Sequence, residues 1–153
     1  MKRNRDIRSI ESSAEICACF ALRKTARAVT QYYDAMLKPC GLRTTQYSLL
    51  MNVAREEPVG ISRLAESMGM DQTTVTRNVR ILVSQGLLVS APGRDRRQRL
   101  LSLTDAGYDA LDRAQPLWHA AQSAFVQNIG DDDWSSLLGR LKAARDATNA
   151  AAK

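Results

Sequence analysis

Apolar residues recur at steps of three and four along most of this chain, and at a shorter period in one region only. The first stripe runs through Ile16, Cys19, Phe20, Ala26, Val29, Tyr33 and Leu37 and predicts a long helix from about Ser13 to Lys38. Ser12-Ser13-Ala14-Glu15 reads as its capping box, and Pro39 with Gly41 ends it. A second helix, from about Thr44 to Arg55, turns Tyr47, Leu50, Met51 and Ala54 inward and stops at Pro58. Ile61 to Met68 reads as a short helix closed by Gly69. Asp71 is a good N-cap for a further helix to about Gln85. That helix buries Val75, Val79, Leu82 and Val83, exposes Gln72, Thr73, Thr76, Arg77 and Arg80, and closes at Gly86. Two short helices joined by a tight turn form a helix-turn-helix.

The period then changes. Leu87-Leu88-Val89-Ser90 and Arg99-Leu100-Leu101-Ser102-Leu103 read as strands, with Pro92 to Gln98 turning between them, and Val59-Gly60-Ile61 can add a third strand. Thr104 caps another helix, with Leu111, Ala114, Trp118, Ala121 and Phe125 inward and Pro116 as a possible kink. Gly130 breaks it. Asp131-Asp132-Asp133 then suit a helix N-terminus, and Trp134, Leu137, Leu138, Leu141 and Ala144 form the stripe of a last helix. The tail from Asn149 to Lys153 is expected to fray. The fold class is mainly α with a small β-hairpin wing: a winged helix-turn-helix flanked by helical segments.

Composition narrows the function. Apolar residues at 44% and charged residues at 25% describe a globular domain, and no apolar run approaches the length of a membrane span. The charged start lacks an apolar signal core, so a cytoplasmic protein is expected. Three Cys do not build a disulfide scaffold, and one histidine, His119, does not build a zinc-hydrolase cluster. An enzyme would have to combine Cys17, Cys19 or Cys40 with His119; no nucleotide loop or carboxylate pair stands out, so neither catalysis nor a cofactor is expected.

The net charge of +6 is unevenly placed. Residues 71–99 hold six Arg against two Asp, and residues 1–10 hold four basic side chains against one acid, whereas residues 100–153 are net negative. Arginine presents a planar fork suited to phosphates and guanine edges. In a winged helix the second helix of the helix-turn-helix enters the major groove and the wing lies along the backbone, where a narrow minor groove attracts Arg. A solvated Arg-rich loop is the competing explanation. An interaction module that had lost DNA binding is another, but it would be expected to lack the Arg-rich wing.

Here the residues carry a resemblance. Ile61-Ser62-Arg63-Leu64-Ala65-Glu66-Ser67-Met68-Gly69, Thr73-Thr74-Val75-Thr76-Arg77, Gly86-Leu87-Leu88, Gly93-Arg94-Asp95-Arg96-Arg97 and Leu103-Thr104-Asp105-Ala106-Gly107 resemble the multiple-antibiotic-resistance regulator (MarR) family from Cys19 to about Arg145. The resemblance implies a homodimeric winged-helix regulator of transcription, typically a repressor relieved by a small ligand or by thiol oxidation. Residues 1–11 would be a flexible basic arm, 12–42 an N-terminal dimerisation helix, 43–103 the DNA-binding domain and 104–153 the C-terminal dimerisation helices. Arg97, held by Asp95, resembles the wing arginine that enters the minor groove. Arg94, Arg96 and Arg99 would contact phosphate, as would Ser62 and Arg63. Gln72, Thr73, Thr74, Thr76 and Arg77 front the recognition helix, with Arg77 the first candidate for a base edge and Gln72 the second. Arg80 lies one turn deeper, where a solvated face competes. Two-fold symmetry implies a palindromic duplex operator.

Cys19-Phe20-Ala21-Leu22 and Tyr33 resemble the organic-hydroperoxide-resistance regulators of the same family, in which an N-terminal thiolate senses oxidant. Two further tyrosine positions of that group hold Arg23 and Thr44 here. Arg23, one turn from Cys19, can lower a thiol pKa by its charge. Cys17 and Cys19 are two apart on a helix and do not face one ion, so a soft-metal site stays the lesser alternative; small buried apolar residues are the plain one. The resemblance also implies a ligand pocket between the dimer helices and the winged domain. Phe20, Arg23, Tyr32, Tyr33, Tyr47, Met51 and Trp118 are its candidates, a set suited to an aromatic carboxylate.

Overall fold

A computed structural model describes residues 17–93 and 98–151 of the chain. The expected basic arm, the capping box at 12–15 and the wing tip Arg94-Asp95-Arg96-Arg97 lie outside the described residues. Helix α1 (Ala18–Leu37) ends in a 3₁₀ turn (Lys38–Cys40) that Gly41 closes at φ 76°. Helix α2 (Thr44–Glu56) starts against it: Asp34 Oδ1 accepts from the Thr44 N–H at 2.7 Å, and the Gln46 side chain accepts from the Arg43 N–H at 2.9 Å. Strand β1 (Val59–Gly60) leads into α3 (Ile61–Met68), and α4 (Gln72–Ser84) follows after a turn at Gly69, φ 61°. Strands β2 (Leu88–Pro92) and β3 (Arg99–Leu103) form the wing, then come α5 (Asp105–Ile129) and α6 (Asp131–Ala151).

The sheet is antiparallel in the order β1-β3-β2, with Val59 opposite Leu101 and Leu88 opposite Leu103. Its buried face meets the inner stripes of the helices. Leu37, Leu49, Leu50, Val53, Leu64, Val75, Leu82, Leu101 and Ala114 reach complete burial in one contiguous core. The joint between wing and α5 is closely packed. Thr104 Oγ1 accepts from the Gly107 N–H at 3.0 Å and donates to the Gly86 carbonyl at 2.6 Å, while the Thr104 N–H donates to the Leu87 carbonyl at 3.2 Å. A Cβ at position 107 would run into that same Leu87 oxygen, which is why glycine stands there.

The burial pattern corrects several expectations. In α1 only Tyr33 and Leu37 are buried; Cys19, Phe20 and Ala26, expected inward, are exposed, because nothing among the described residues covers the first half of that helix. In α2 the inner stripe includes Leu49 and Val53, and Met51 is 42% exposed. Val83 is exposed because Val79 and Leu82 already fill the α4 seam and the next residue turns about 100° away. Trp118 and Phe125 are half-buried. The largest departure is α6: no residue of its expected stripe is buried, and Leu137, Leu138 and Leu141 are exposed. Only Trp134 is half-covered, its ring edge-on to Phe125 at 5.5 Å. Pro116 sits within an α5 that continues to Ile129. Among the described residues no helix is long and apolar enough to cross a membrane.

Candidate nucleic-acid interface

Local chemistry places the recognition helix. Asp71 Oδ1 accepts from the Thr74 N–H at 2.8 Å and its Oδ2 from the Thr74 hydroxyl at 2.6 Å. These bonds, the Thr74 hydroxyl first and its backbone N–H second, hold the Asp71 carboxyl below the usual range. Val75, Val79 and Leu82 anchor the inner face of α4, which leaves Gln72, Thr73, Arg77 and Arg80 on the outer one. Two of the expected base readers are engaged locally: Thr74 in the cap, and Thr76, whose hydroxyl donates to the Gln72 carbonyl at 2.6 Å. Gln72, Thr73, Arg77 and Arg80 make no such side-chain bond among the described residues.

The start of α3, the start of α4 and the base of β3 converge on a groove of about 440 Å³, lined by Ser62, Arg63, Gln72, Thr76, Gln98 and Arg99 among others. Sequence candidates from three elements thus come together. Arg99 is not loose there: its Nε donates to the Ser90 hydroxyl at 3.2 Å and its Nη2 to the Ser90 carbonyl at 2.9 Å, which ties the two wing strands. Arg63 donates from Nε to Glu56 Oε2 at 3.0 Å and from Nη1 to Glu66 Oε2 at 3.4 Å. Arg55 holds the other oxygen of Glu56 at 2.9 Å. The hydrogen bonds from Arg55 and then Arg63 keep the Glu56 carboxyl below its ordinary pKa, and Glu56 raises that of Arg63 in turn. Arg94, Asp95, Arg96 and Arg97 lie outside the described residues.

Sequence reasoning missed Glu57. Its Oε2 accepts from the Leu103 N–H at 2.7 Å and its Oε1 from the Tyr108 hydroxyl, so one carboxylate fastens the end of α2 to the wing and to the first turn of α5. The partners stand 46 and 51 residues away, and no local pattern announces them.

The sensor candidates separate into three places. Cys17, Cys19, Phe20 and Arg23 are exposed at the start of α1 in the single chain. Cys40 is half-buried and its Sγ donates to the Leu37 carbonyl at 2.9 Å. Tyr33 and Tyr32 join α1 to α5 by donating to Gln122 Oε1 at 2.6 Å and to the Ala121 carbonyl at 3.1 Å. Burial, and then the neighbouring Tyr32, push the Tyr33 phenol up. Tyr47 stacks on Trp118 at 6.1 Å, and these two with Met51, Asn52 and His119 line a cleft of about 330 Å³ between α2 and α5. Among the described residues no three His, Cys, Asp or Glu side chains gather as metal ligands.

A helix-turn-helix with a capped, outward-facing recognition helix beside a cationic hairpin defines a winged-helix DNA-binding protein. The sequence model of the MarR family matches residues 41–98. The M. tuberculosis transcriptional regulator MosR, solved in complex with DNA, is 34% identical, with 88% of this chain and 97% of that one covered and a TM-score of 0.80. CouR of Rhodococcus jostii RHA1, solved bound to p-coumaroyl-CoA, is 25% identical over 86% of this chain and 93% of that one, TM-score 0.70. The organic hydroperoxide resistance transcriptional regulator of Bacillus subtilis is 28% identical over 90 residues, 58% of this chain and 61% of that one. The chain belongs to the MarR family. It is a DNA-binding transcriptional regulator and not an enzyme.

Proposed function

We propose that the protein acts as a homodimeric repressor on a palindromic operator. The observation that carries this is α6: a helix of 21 residues, about 30 Å long, whose leucines Leu137, Leu138 and Leu141 remain exposed. Such a stripe is stable when it packs on another surface. Phe20, 53% exposed on the uncovered half of α1, supplies a second bare apolar surface. A second copy covers both at once by symmetry, with residues 12–42 and 104–153 forming the dimer and 43–103 presented to DNA. Arg77 then reads a base edge with Gln72 beside it. Arg97, held by Asp95, enters the minor groove. Arg94, Arg96, Arg99 and Ser62 meet phosphates, whereas the Arg63 guanidinium is engaged by Glu56 and Glu66. Sedimentation of the full chain, with a gel shift on its own upstream region, tests the reading. A dimer that prefers that duplex over a random one is expected; a monomer, or equal affinity for both duplexes, overturns it.

Release by a small aromatic ligand is the first reading of the signal, supported by the Tyr47–Trp118 cleft at the α2–α5 seam, through which the winged domain meets the terminal helices. A second reading, oxidation of Cys19, has its own observation: an exposed thiol one helical turn from Arg23. Operator affinity before and after a hydroperoxide, with Cys19→Ser beside the natural chain, separates the two. Loss of affinity in the natural chain alone supports the thiol, and no change in either favours the ligand.

A further inference from the structure

Four charged side chains at the corner between α2 and α3 pair with one another. Arg55 and Arg63 face Glu56 and Glu66 within 2.9 to 3.4 Å, and Glu56, its side chain only 21% exposed, stands between the two guanidinium groups with one oxygen on each. Arg63 is 62% exposed, lines the groove at the front of α3 and α4, and is tied at two of its nitrogens to carboxylates. An exposed ion pair adds little to stability. Its effect on an approaching polyanion is larger. Sequence-independent binding to DNA is almost wholly electrostatic, each neutralised phosphate adding about 0.9 to the slope of log affinity against log salt. An arginine whose charge is already matched contributes little of that.

We propose that Glu56 and Glu66 limit sequence-independent binding to DNA: by holding Arg63 on the protein, they keep it from acting as a phosphate hook on any sequence. The inference rests on the reading that the α3–α4 face meets DNA. The carboxylates weaken binding to random duplex, where phosphate attraction is all there is. The effect is a charge effect, so the amide isostere removes it without emptying space, and the surface position leaves the core untouched.

The experiment is fluorescence anisotropy on a random-sequence duplex, from about 50 to about 200 mM salt, with the natural chain, Glu56→Gln, Arg63→Gln and the double variant, each checked for an unchanged melting temperature. Glu56→Gln is expected to bind random duplex about threefold tighter at the low-salt end, with a slope steeper by about one phosphate. The gain is expected to vanish in the Arg63→Gln background. Asp112→Asn, the same charge change on the exposed side of α5, is expected to reproduce little of it. Weaker or unchanged binding by Glu56→Gln overturns the proposal, as does a gain that persists without Arg63, which would be bulk charge alone. A duplex from the chain's own upstream region forms a separate arm. If the natural chain shows no preference for it, the operator reading fails, while the random-duplex comparison still decides the role of the carboxylates.

Discussion

The segment from Ile61 to Gly86 and the helix from Asp131 to Ala151 have similar lengths and opposite logics. In the first, each end is settled within a few residues: Gly69 turns at φ 61°, Asp71 caps α4 through Thr74, and Val75, Val79 and Leu82 are buried in the same chain. In the second, three aspartates suit the N-terminus and a leucine stripe recurs at helical spacing, yet none of that stripe is buried. Local chemistry is enough to build a reading head. A helix whose apolar stripe is left bare draws little stability from packing within its own chain. The same contrast runs inside α1, where Tyr33 and Leu37 are buried and Phe20 is exposed.

The largest expected effect removes the joint on which the contrast turns. Gly107→Val places a side chain against the Leu87 carbonyl and forces β2 and α5 apart. The expected cost is about 3 kcal/mol, or a melting temperature lower by roughly 10 °C. An unchanged melting curve would show that the joint gives way cheaply. Next, Leu138→Asp with Leu141→Asp should raise the dimer dissociation constant at least about 100-fold, since each buried leucine contributes about 2 kcal/mol. The winged domain should keep its helical signal. A dimer that survives would place the interface elsewhere.

Within the reading head, two arginines should behave differently. Arg77→Ala is expected to lose about 1–3 kcal/mol on the operator and little on random duplex, because a base edge is a sequence-dependent contact. Arg97→Ala should weaken both duplexes alike and lower the salt slope by about one. Titrations at several salt concentrations distinguish them; equal losses from Arg77→Ala would make it another phosphate contact.

Legibility follows the same division. Asp71, Thr104, Gly69 and Gly86 were readable because caps and left-handed turns are encoded within three or four residues. The faces were less so. The α2 stripe shifts to include Leu49 and Val53 because tertiary packing, not spacing alone, chooses among adjacent apolar positions. Thr74 and Thr76 look like base readers in sequence, yet their hydroxyls donate locally, to the Asp71 carboxylate and to the Gln72 carbonyl. Glu57 was invisible, since a carboxylate joining residues about fifty positions away leaves no periodic trace.

The smallest expected effect belongs to that carboxylate, and it bears on how the two regions communicate. Glu57 sits where α2 ends; Leu103 ends the wing; Tyr108 lies one turn into α5, whose far end carries the contacts to α1 and α6. If α5 moves with the dimer helices, this bond passes the displacement to the helix-turn-helix, since α2 leads through β1 into α3. Tyr108→Phe deletes one hydrogen bond to a carboxylate on a partly exposed ring, which costs about 1 kcal/mol, or roughly 3 °C. The packing of the ring stays, so the fold should persist and random-duplex affinity should hold. Operator affinity should fall by about threefold to tenfold, because a loosened wing and recognition helix must be ordered again on binding. A melting temperature lowered alone, with operator affinity unchanged, would reduce Glu57 to a staple and leave the wing positioned by the Thr104–Gly107 joint by itself.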